Sequence, residues 1–358
     1  MDLGAIVANA RAIRRFRRGS ALIAVVKADG YGHGIVRVGK VLEEEASLFG
    51  VFCVQEGEAL RRAGIRIPIL VMSPVSNAGA GRLRRSRLTP TVATMEDLHA
   101  SARPSSGLLD CHLKFDTGMG RLGFDFRRAG EVGVWLKRRG VRFVSGLFMH
   151  FTAVYEPAFA SLQIARLETC IEALRGSGVN PLAVHSANSG AVIRSDKSCA
   201  SGLLRPGILL YGYLPGIRVP FDIRPAMSFK SRVISVRDVP AGTTVSYGHT
   251  YTTRRRARLA VVSAGYSRGY SRLLSNRAEV LVRGRRAPVR GRVCMDMCVI
   301  DVGGIKGCRA GDEVTLFGPQ GREFIGADEL ASLQGTIPYE VLIAAGRLNP
   351  RVYRGGAG

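Results

Sequence analysis

The sequence predicts an α/β plus all-β protein: an N-terminal (β/α)8 barrel of the TIM type followed by a C-terminal β domain. Three observations carry that expectation. Short apolar runs alternate with amphipathic stretches through the first part of the chain. Near Pro220 the texture changes, and strand-like runs follow one another across short Gly, Pro and basic turns. Polar residues with chemical potential recur at the ends of several of the early runs, as they do around a barrel mouth. At 358 residues the chain exceeds the usual single-domain size, and the reading divides it into 1–219 and 220–358.

Leu3, Ile6, Val7, Ala10 and Ile13 recur at helical spacing, and Arg14, Arg15, Arg17 and Arg18 close that helix where cations suit its dipole. The apolar run from Ala21 then leads straight into Lys27 and reads as a buried strand with an amine at its carboxyl end. Seven more strands are expected at Leu48 to Val54, Ile67 to Met72, Leu88 to Val92, Leu109 to Phe115, Val144 to Phe151, Leu182 to His185 and Leu203 to Tyr211. Helical patterns such as Glu56 to Ala63, Phe126 to Arg138 and Pro157 to Leu174 separate them. An open doubly wound sheet would explain the alternation nearly as well, but polar residues at many strand ends favour the barrel. Beyond it, Phe229 to Val236, Arg258 to Ser263, Ala278 to Val282, Val293 to Ile300 and Glu313 to Phe317 read as strands of a small barrel or sandwich, and Ala327 to Leu333 as a short helix.

Composition narrows the function classes. With 46% hydrophobic and 22% charged residues the chain is too apolar for a disordered protein. No apolar run is long enough to span a bilayer, and Leu3 to Ala8 is short with its arginines after it, so the expectation is a cytoplasmic protein without a signal peptide. Seven cysteines without a C-x-x-C pair argue against a disulfide framework and against a structural metal site; Cys294 and Cys298 read as small core residues. The formal charge of +24 could serve nucleic acid, but the arginines spread along the whole chain without interleaved aromatics, which favours solvated basic surface.

Four motif groups carry chemistry. The stretch A-V-V-K-A-D-G-Y-G-H-G, Ala24 to Gly34, suits a Schiff-base lysine, Lys27, beside a glycine-rich phosphate loop, although a snorkelling lysine before an ordinary turn fits the local pattern equally. In L-K-F-D-T-G-M-G-R-L-G, alternation puts His112, Lys114 and Asp116 on one strand face, and Arg121 sits in the turn beyond, suited to holding a carboxylate with two hydrogen bonds. His150, the H-S-A-N-S run from His185 to Ser189, and Arg205 in L-L-R-P-G-I-L-L-Y-G suggest a connected polar layer, and an arginine against a pyridine nitrogen would keep that nitrogen unprotonated. In the second part, V-S-Y-G-H-T-Y around Tyr247, S-A-G-Y-S-R-G-Y around Tyr266 and R-V-C-M-D-M around Met295 stand out, although each tyrosine alone reads as an ordinary strand residue.

Taken together these motifs, in this order, resemble the alanine racemase family along nearly the whole chain. The resemblance implies an isomerase that interconverts L-alanine and D-alanine on pyridoxal 5'-phosphate, working as a homodimer whose sites are each completed by the partner's second domain. It matches Lys27 to the cofactor lysine and first base, and Tyr247 to the opposing base from the other subunit. It further matches Arg205 to the arginine facing the pyridine nitrogen, with His185 and His150 behind it. For the phosphate it implies Tyr31, Ser189, the backbone of Gly207 and Ile208, and Tyr339 in I-P-Y-E, with Asn188 beside them. Arg121 and Met295 match substrate-carboxylate positions, Tyr266 an active-site tyrosine, and Lys114 a lysine that many members carry carbamylated.

Some positions depart from the pattern. The chain starts without the strand that usually precedes its first helix, so the start reads as truncated or mis-assigned; Arg268 stands where an acidic residue is common, and His150 is followed by F-T-A-V-Y-E where the family often ends in aspartate. A serine or broad-spectrum racemase on the same scaffold and a non-catalytic pyridoxal-phosphate-binding protein are the alternatives. The latter lacks a β domain supplying Tyr247.

Overall fold

The computed structural model describes residues 1–74, 77–101, 104–105, 107–194 and 202–355. Its first half is a ring of parallel strands: β1 (Ala21–Val25), β2 (Leu48–Val51), β3 (Ile69–Pro74), β4 (Thr89–Val92), β5 (Leu108–Asp116), β6 (Phe124–Asp125), β7 (Phe143–Phe148), β8 (Asn180–Pro181), β9 (Val184–His185) and β10 (Leu203–Leu204). The ladder runs β10-β1-β2-β3-β4-β5-β7, with β8 and β9 both on β7 and β6 on the end of β5. Arg205 N donates to Ala187 O at 2.8 Å, which joins the end of β10 to the end of β9 and closes the ring. Helices such as Leu3–Phe16, Ile35–Leu42, Val54–Arg62, Ala129–Lys137 and Pro157–Gly176 cover it. Parallel strands covered in this way are buried on both faces, which is why β1 reads as a continuous apolar run.

The second half is all-β: β11 (Phe229–Val239), β12 (Ala257–Val262), β13 (Glu279–Val282), β14 (Arg285–Arg290), β15 (Cys298–Asp301), β16 (Glu313–Gln320) and β17 (Glu323–Ile325). The order β11-β12-β15-β14-β13-β16 closes through a β11–β16 pairing into an antiparallel barrel, with β17 paired on β16. Closure removes the exposed edges a sandwich would leave.

Several boundaries differ from the sequence expectation. The first strand stops at Val25, so Lys27 opens a helical turn and is not a strand residue. The strand expected from Leu203 to Tyr211 ends at Leu204, because Pro206 lacks an N–H for the ladder, and a 3-10 turn follows at Ile208–Tyr211. A helix at Pro338–Leu348 lies beyond the last one the periodicity suggested.

That last helix packs against the turn after Lys27 closely enough that a side chain on Gly346 would sit 2.0 Å from Gly32 O. The first helix ties the halves together. Asn9, fully buried, donates to Leu210 O and Arg224 O at 2.9 Å each and accepts from Arg224 N at 2.8 Å. Asp2 caps that helix through Ala5 N and pairs with Arg354, so both ends of the described chain meet. Among the described residues no helix is long and apolar enough to cross a membrane, and no cluster of His, Cys, Asp and Glu could hold a metal ion.

Candidate active site

A cavity of about 320 Å³ lies at the carboxyl ends of the parallel strands, and the residues that meet there come from five of them. Lys27, Tyr31, His150, Asn188, Ser189, Arg205 and Gly207 all line it, and Tyr339 reaches it from the helix Pro338–Leu348.

Lys27 is presented by an unusual turn. Ala28, Asp29, Gly30, Tyr31 and Gly32 all adopt positive φ, at 53°, 55°, 63°, 53° and 83°. A left-handed turn costs roughly 1–2 kcal/mol for each residue carrying a Cβ, so Ala28, Asp29 and Tyr31 need external support. Glu56 provides it: Oε1 accepts from Ala28 N at 2.7 Å and Asp29 N at 3.4 Å, while Oε2 accepts from Phe52 N at 2.7 Å. Asp29 accepts from Ile35 N at 2.8 Å and pairs with Arg351. His33, buried, closes the turn through Nδ1, which donates to Gly30 O and Tyr31 O at 3.1 and 3.0 Å. Burial lowers the Lys27 amine below the ordinary lysine range and the Arg121 charge lowers it further, against a smaller opposing effect of Glu56. A neutral amine is the nucleophilic form.

A polar layer faces the floor of the cavity. Arg205 is 2% exposed; Nη1 donates to His185 Nδ1 at 2.8 Å, and Nη2 donates to Met149 O and Ser186 O at 2.8 and 2.9 Å. Among the described residues its Nε is buried without a partner. Burial draws Arg205 down only to about 9, so it stays a cation at neutral pH. His185 lies flat on Phe148, with ring centroids 4.8 Å apart and planes 7° apart. His150 is held well below its ordinary range by burial and by the charges of Arg205, Lys114, Arg121 and Lys27. Lys114, also buried, is drawn down to about 8 by burial and Arg205 against the pull of Asp116.

The opposite wall has the form of an anion cradle. Ser189 opens the helix Ser189–Ile193, and its Oγ accepts from Gly207 N at 2.9 Å and Leu209 N at 3.4 Å. A Cβ at Gly207 would stand 2.2 Å from the Tyr31 hydroxyl, so only glycine leaves that hydroxyl in place. Tyr31 is wedged between Tyr211 and Tyr339, at centroid distances of 4.8 and 5.7 Å. Ile208 begins the following 3-10 turn with its side chain in the core.

Three residues singled out in the second half do not line this cavity. Tyr247, Tyr266 and Met295 are 72%, 43% and 56% exposed, large values for a tyrosine or methionine. They nevertheless belong to one surface region of the β domain: Tyr266 N and Ser267 N donate to Cys294 O and Met295 O, and Ser246 Oγ donates to Arg292 O. Ser246 holds φ at 64° beside Tyr247. Arg121 is exposed and lies off the cavity wall, although its charge reaches Lys27, Lys114 and His150. Glu56 and His33 hold the Lys27 turn without having been assigned a role from the sequence: the glycines at 30, 32 and 34 mark the turn that His33 closes, whereas nothing local points to Glu56.

The chain matches the family models described as alanine racemase, N-terminal domain, over residues 1–215, and alanine racemase, C-terminal domain, over residues 226–353. The chain belongs to the alanine racemase family. Among members, alanine racemases of Desulfosudis oleivorans and Symbiobacterium thermophilum are each 41% identical to it, covering 100% and 99% of this chain and 96% of their own. The crystal structure of the alanine racemase from Streptomyces lavendulae superposes with a TM-score of 0.91 at 34% identity, over 100% of this chain and 96% of that one. The Bacillus anthracis enzyme, solved with bound L-Ala-P, gives 0.87 at 32% identity over 96% and 91%. This family member thus shares both halves of the racemase architecture with its relatives.

Proposed function

We propose that the chain is an alanine racemase that interconverts L-alanine and D-alanine with pyridoxal 5'-phosphate as cofactor and two bases on opposite faces of the substrate. The observation that supports it best is the convergence, at one cavity, of a lysine amine depressed by burial with a buried arginine whose Nε has no partner.

The residues present fit the cofactor. An N–H donor without a partner suits a ring nitrogen as acceptor, the glycine-lined cradle of Ser189, Gly207, Ile208 and Tyr31 suits a phosphate, with Asn188 and Tyr339 beside it, and Lys27 suits the aldehyde carbon. When bound, pyridoxal phosphate supplies the electron sink that allows the α-hydrogen of an amino acid to leave as a proton.

The chain's own residues do the rest. Lys27 holds or receives that proton at Nζ on one face. Tyr247 does the same at its hydroxyl on the other face, contributed by a second copy of the chain, since in its own chain it stands exposed and off the cavity. One face alone would return the same enantiomer. Arg205 remains a cation whose Nε would donate to the ring nitrogen and keep it unprotonated, which would temper the sink and disfavour transamination. Arg121 and Met295 hold the substrate carboxylate and Tyr266 is a further active-site tyrosine; Met295 and Tyr266, like Tyr247, stand off this chain's own cavity and are contributed by the second copy. His185 and His150 back Arg205. Lys114, drawn down to about 8, carries enough neutral amine to take up carbon dioxide as a carbamate and orient Arg121. In this reading residues 1–219 form the cofactor barrel and 220–358 the domain that completes the partner's site in a homodimer.

The test is to purify the protein, record the visible chromophore that a lysine-bound pyridoxal group gives, and follow conversion of D-alanine to L-alanine beside serine, lysine and arginine. A colourless protein that neither takes up the cofactor nor racemises alanine contradicts the proposal; faster turnover of serine reassigns the substrate.

A further inference from the structure

Beneath Arg205 the polar layer continues through the barrel. His112 Nδ1 lies 2.7 Å from His185 Nε2, and both rings are buried. His112 in turn lines a second cavity, about 860 Å³, at the amino ends of the strands with Thr89, Asp110, Ser145 and Arg61. A line of three side chains therefore runs from the floor of the active-site cavity to the opposite end of the barrel.

The direction of every hydrogen in that line follows from the arginine. A guanidinium has donors only, so His185 Nδ1 must accept from Arg205 Nη1, and a neutral His185 carries its proton on Nε2. That proton is donated to His112 Nδ1, which must then be the lone-pair nitrogen, so His112 carries its own proton on Nε2. A proton on Nδ1 of either ring would set two donors against each other at 2.7 or 2.8 Å. Burial and the Arg205 charge hold His112 down to about 4 and His185 well below its ordinary range, Lys114 adding to the effect on His185, so both rings are neutral.

The backbone is shaped for this arrangement. Gly146 stands opposite His112 in the β5–β7 ladder, and a Cβ there would lie 2.4 Å from His112 Nδ1. Only glycine leaves the imidazole where it meets His185.

We propose that His112 is a positioning residue for the racemase reaction: by accepting the hydrogen bond from His185 Nε2 it fixes the His185 tautomer, and through it the guanidinium of Arg205 that would face the cofactor's ring nitrogen. The proposal rests on the reading that Arg205 faces that ring. His112 touches neither substrate nor cofactor; its role is exerted two hydrogen bonds away.

The test compares the holoenzyme with His112→Phe, which fills the space without an acceptor, His112→Asn, whose amide oxygen restores an acceptor near the Nδ1 position, and Gly146→Ala, which displaces the ring. Nitrogen-15 NMR of labelled histidine reads the tautomers. The expected wild-type result is His185 and His112 both protonated on Nε2. In His112→Phe and Gly146→Ala the His185 signals move toward a mixture of tautomers, the visible cofactor band shifts, and kcat falls on the order of tenfold at unchanged KM, with His112→Asn recovering most of each. A wild-type His185 protonated on Nδ1 overturns the proposal, as does equal loss in His112→Phe and His112→Asn, or no change in either. If His112→Phe does not fold, the wild-type spectrum and Gly146→Ala decide. Absence of chromophore and racemisation in the wild type would instead remove the functional reading and leave the tautomer result standing by itself.

Discussion

Burial brings the Lys27 and Lys114 amines closer to the neutral form that the proposed chemistry needs. Both are drawn down by desolvation first and by neighbouring arginine charge second, Arg121 for Lys27 and Arg205 for Lys114. Lys27→Ala is expected to purify without the visible chromophore and without racemase activity, while its urea unfolding stays close to wild type; a retained chromophore would move the attachment elsewhere. Lys114, drawn down to about 8, should gain carbamate as neutral amine becomes available. Carbon-13 NMR with labelled bicarbonate is expected to show one carbamate signal that Lys114→Ala removes; its persistence in the variant would assign the modification to another amine. The motif around Tyr247 stands out in the sequence, but only the resemblance gives its tyrosine a role, and the reason is physical. An exposed tyrosine in a three-residue 3-10 turn has no local pattern that separates it from any surface tyrosine.

At the level of elements, the left-handed turn Lys27–Tyr31 is the least predictable feature and the one on which the site depends. The apolar run before Lys27 favours a strand, and propensity gives no cause to turn left-handed at Ala28 and Asp29. The support comes from Glu56, 28 residues away in sequence, and from Arg351 near the other end of the chain, neither visible to a local pattern. Glu56→Ala leaves the N–H groups of Ala28, Asp29 and Phe52 without their acceptor. It is expected to cost about 1–3 kcal/mol in urea unfolding and to weaken cofactor retention on dialysis; unchanged stability and retention would show that the turn holds without it. Gly207→Ala, whose Cβ would press on the Tyr31 hydroxyl, should fold normally and bind pyridoxal phosphate at least tenfold more weakly, the size of a misplaced group in a built site. Titration of the apoprotein with cofactor would measure that, and wild-type affinity in the variant would remove Gly207 from the cradle.

Across the whole molecule, the barrel and the β domain were legible because alternation and strand spacing are properties of short windows. The distinction between a barrel and a sandwich was not, since the closing β11–β16 pair joins segments about 80 residues apart. The polar layer was legible as a set of candidates, His150, His185 and Arg205, but its wiring was not: His112 and His185 are 73 residues apart, and only the closed ring brings them together. The same burial makes the fold sensitive to acid. His33 is depressed to about 3, with His112, His150 and His185 depressed as well, so between pH 6.5 and 3 the unfolded chain binds protons that the native protein does not. The histidine contribution to stability is therefore expected to be full above pH 6.5 and to fall as pH drops through this window, by up to about 5 kcal/mol from His33 alone. Urea midpoints measured at pH 7 and pH 5 check this, and equal midpoints would contradict the buried neutral histidines.

In the proposed dimer each site is built from Lys27 of one copy and Tyr247 of another, and hybrid dimers separate this from a site contained within one copy. Lys27→Ala and Tyr247→Phe are each expected to be inactive alone. When the two are dissociated, mixed and reassociated, half the dimers pair one variant with the other, and each such dimer regains one intact site, so activity should return to about a quarter of wild type. A mixture that forms hybrid dimers yet stays as inactive as its parents would contradict the shared site.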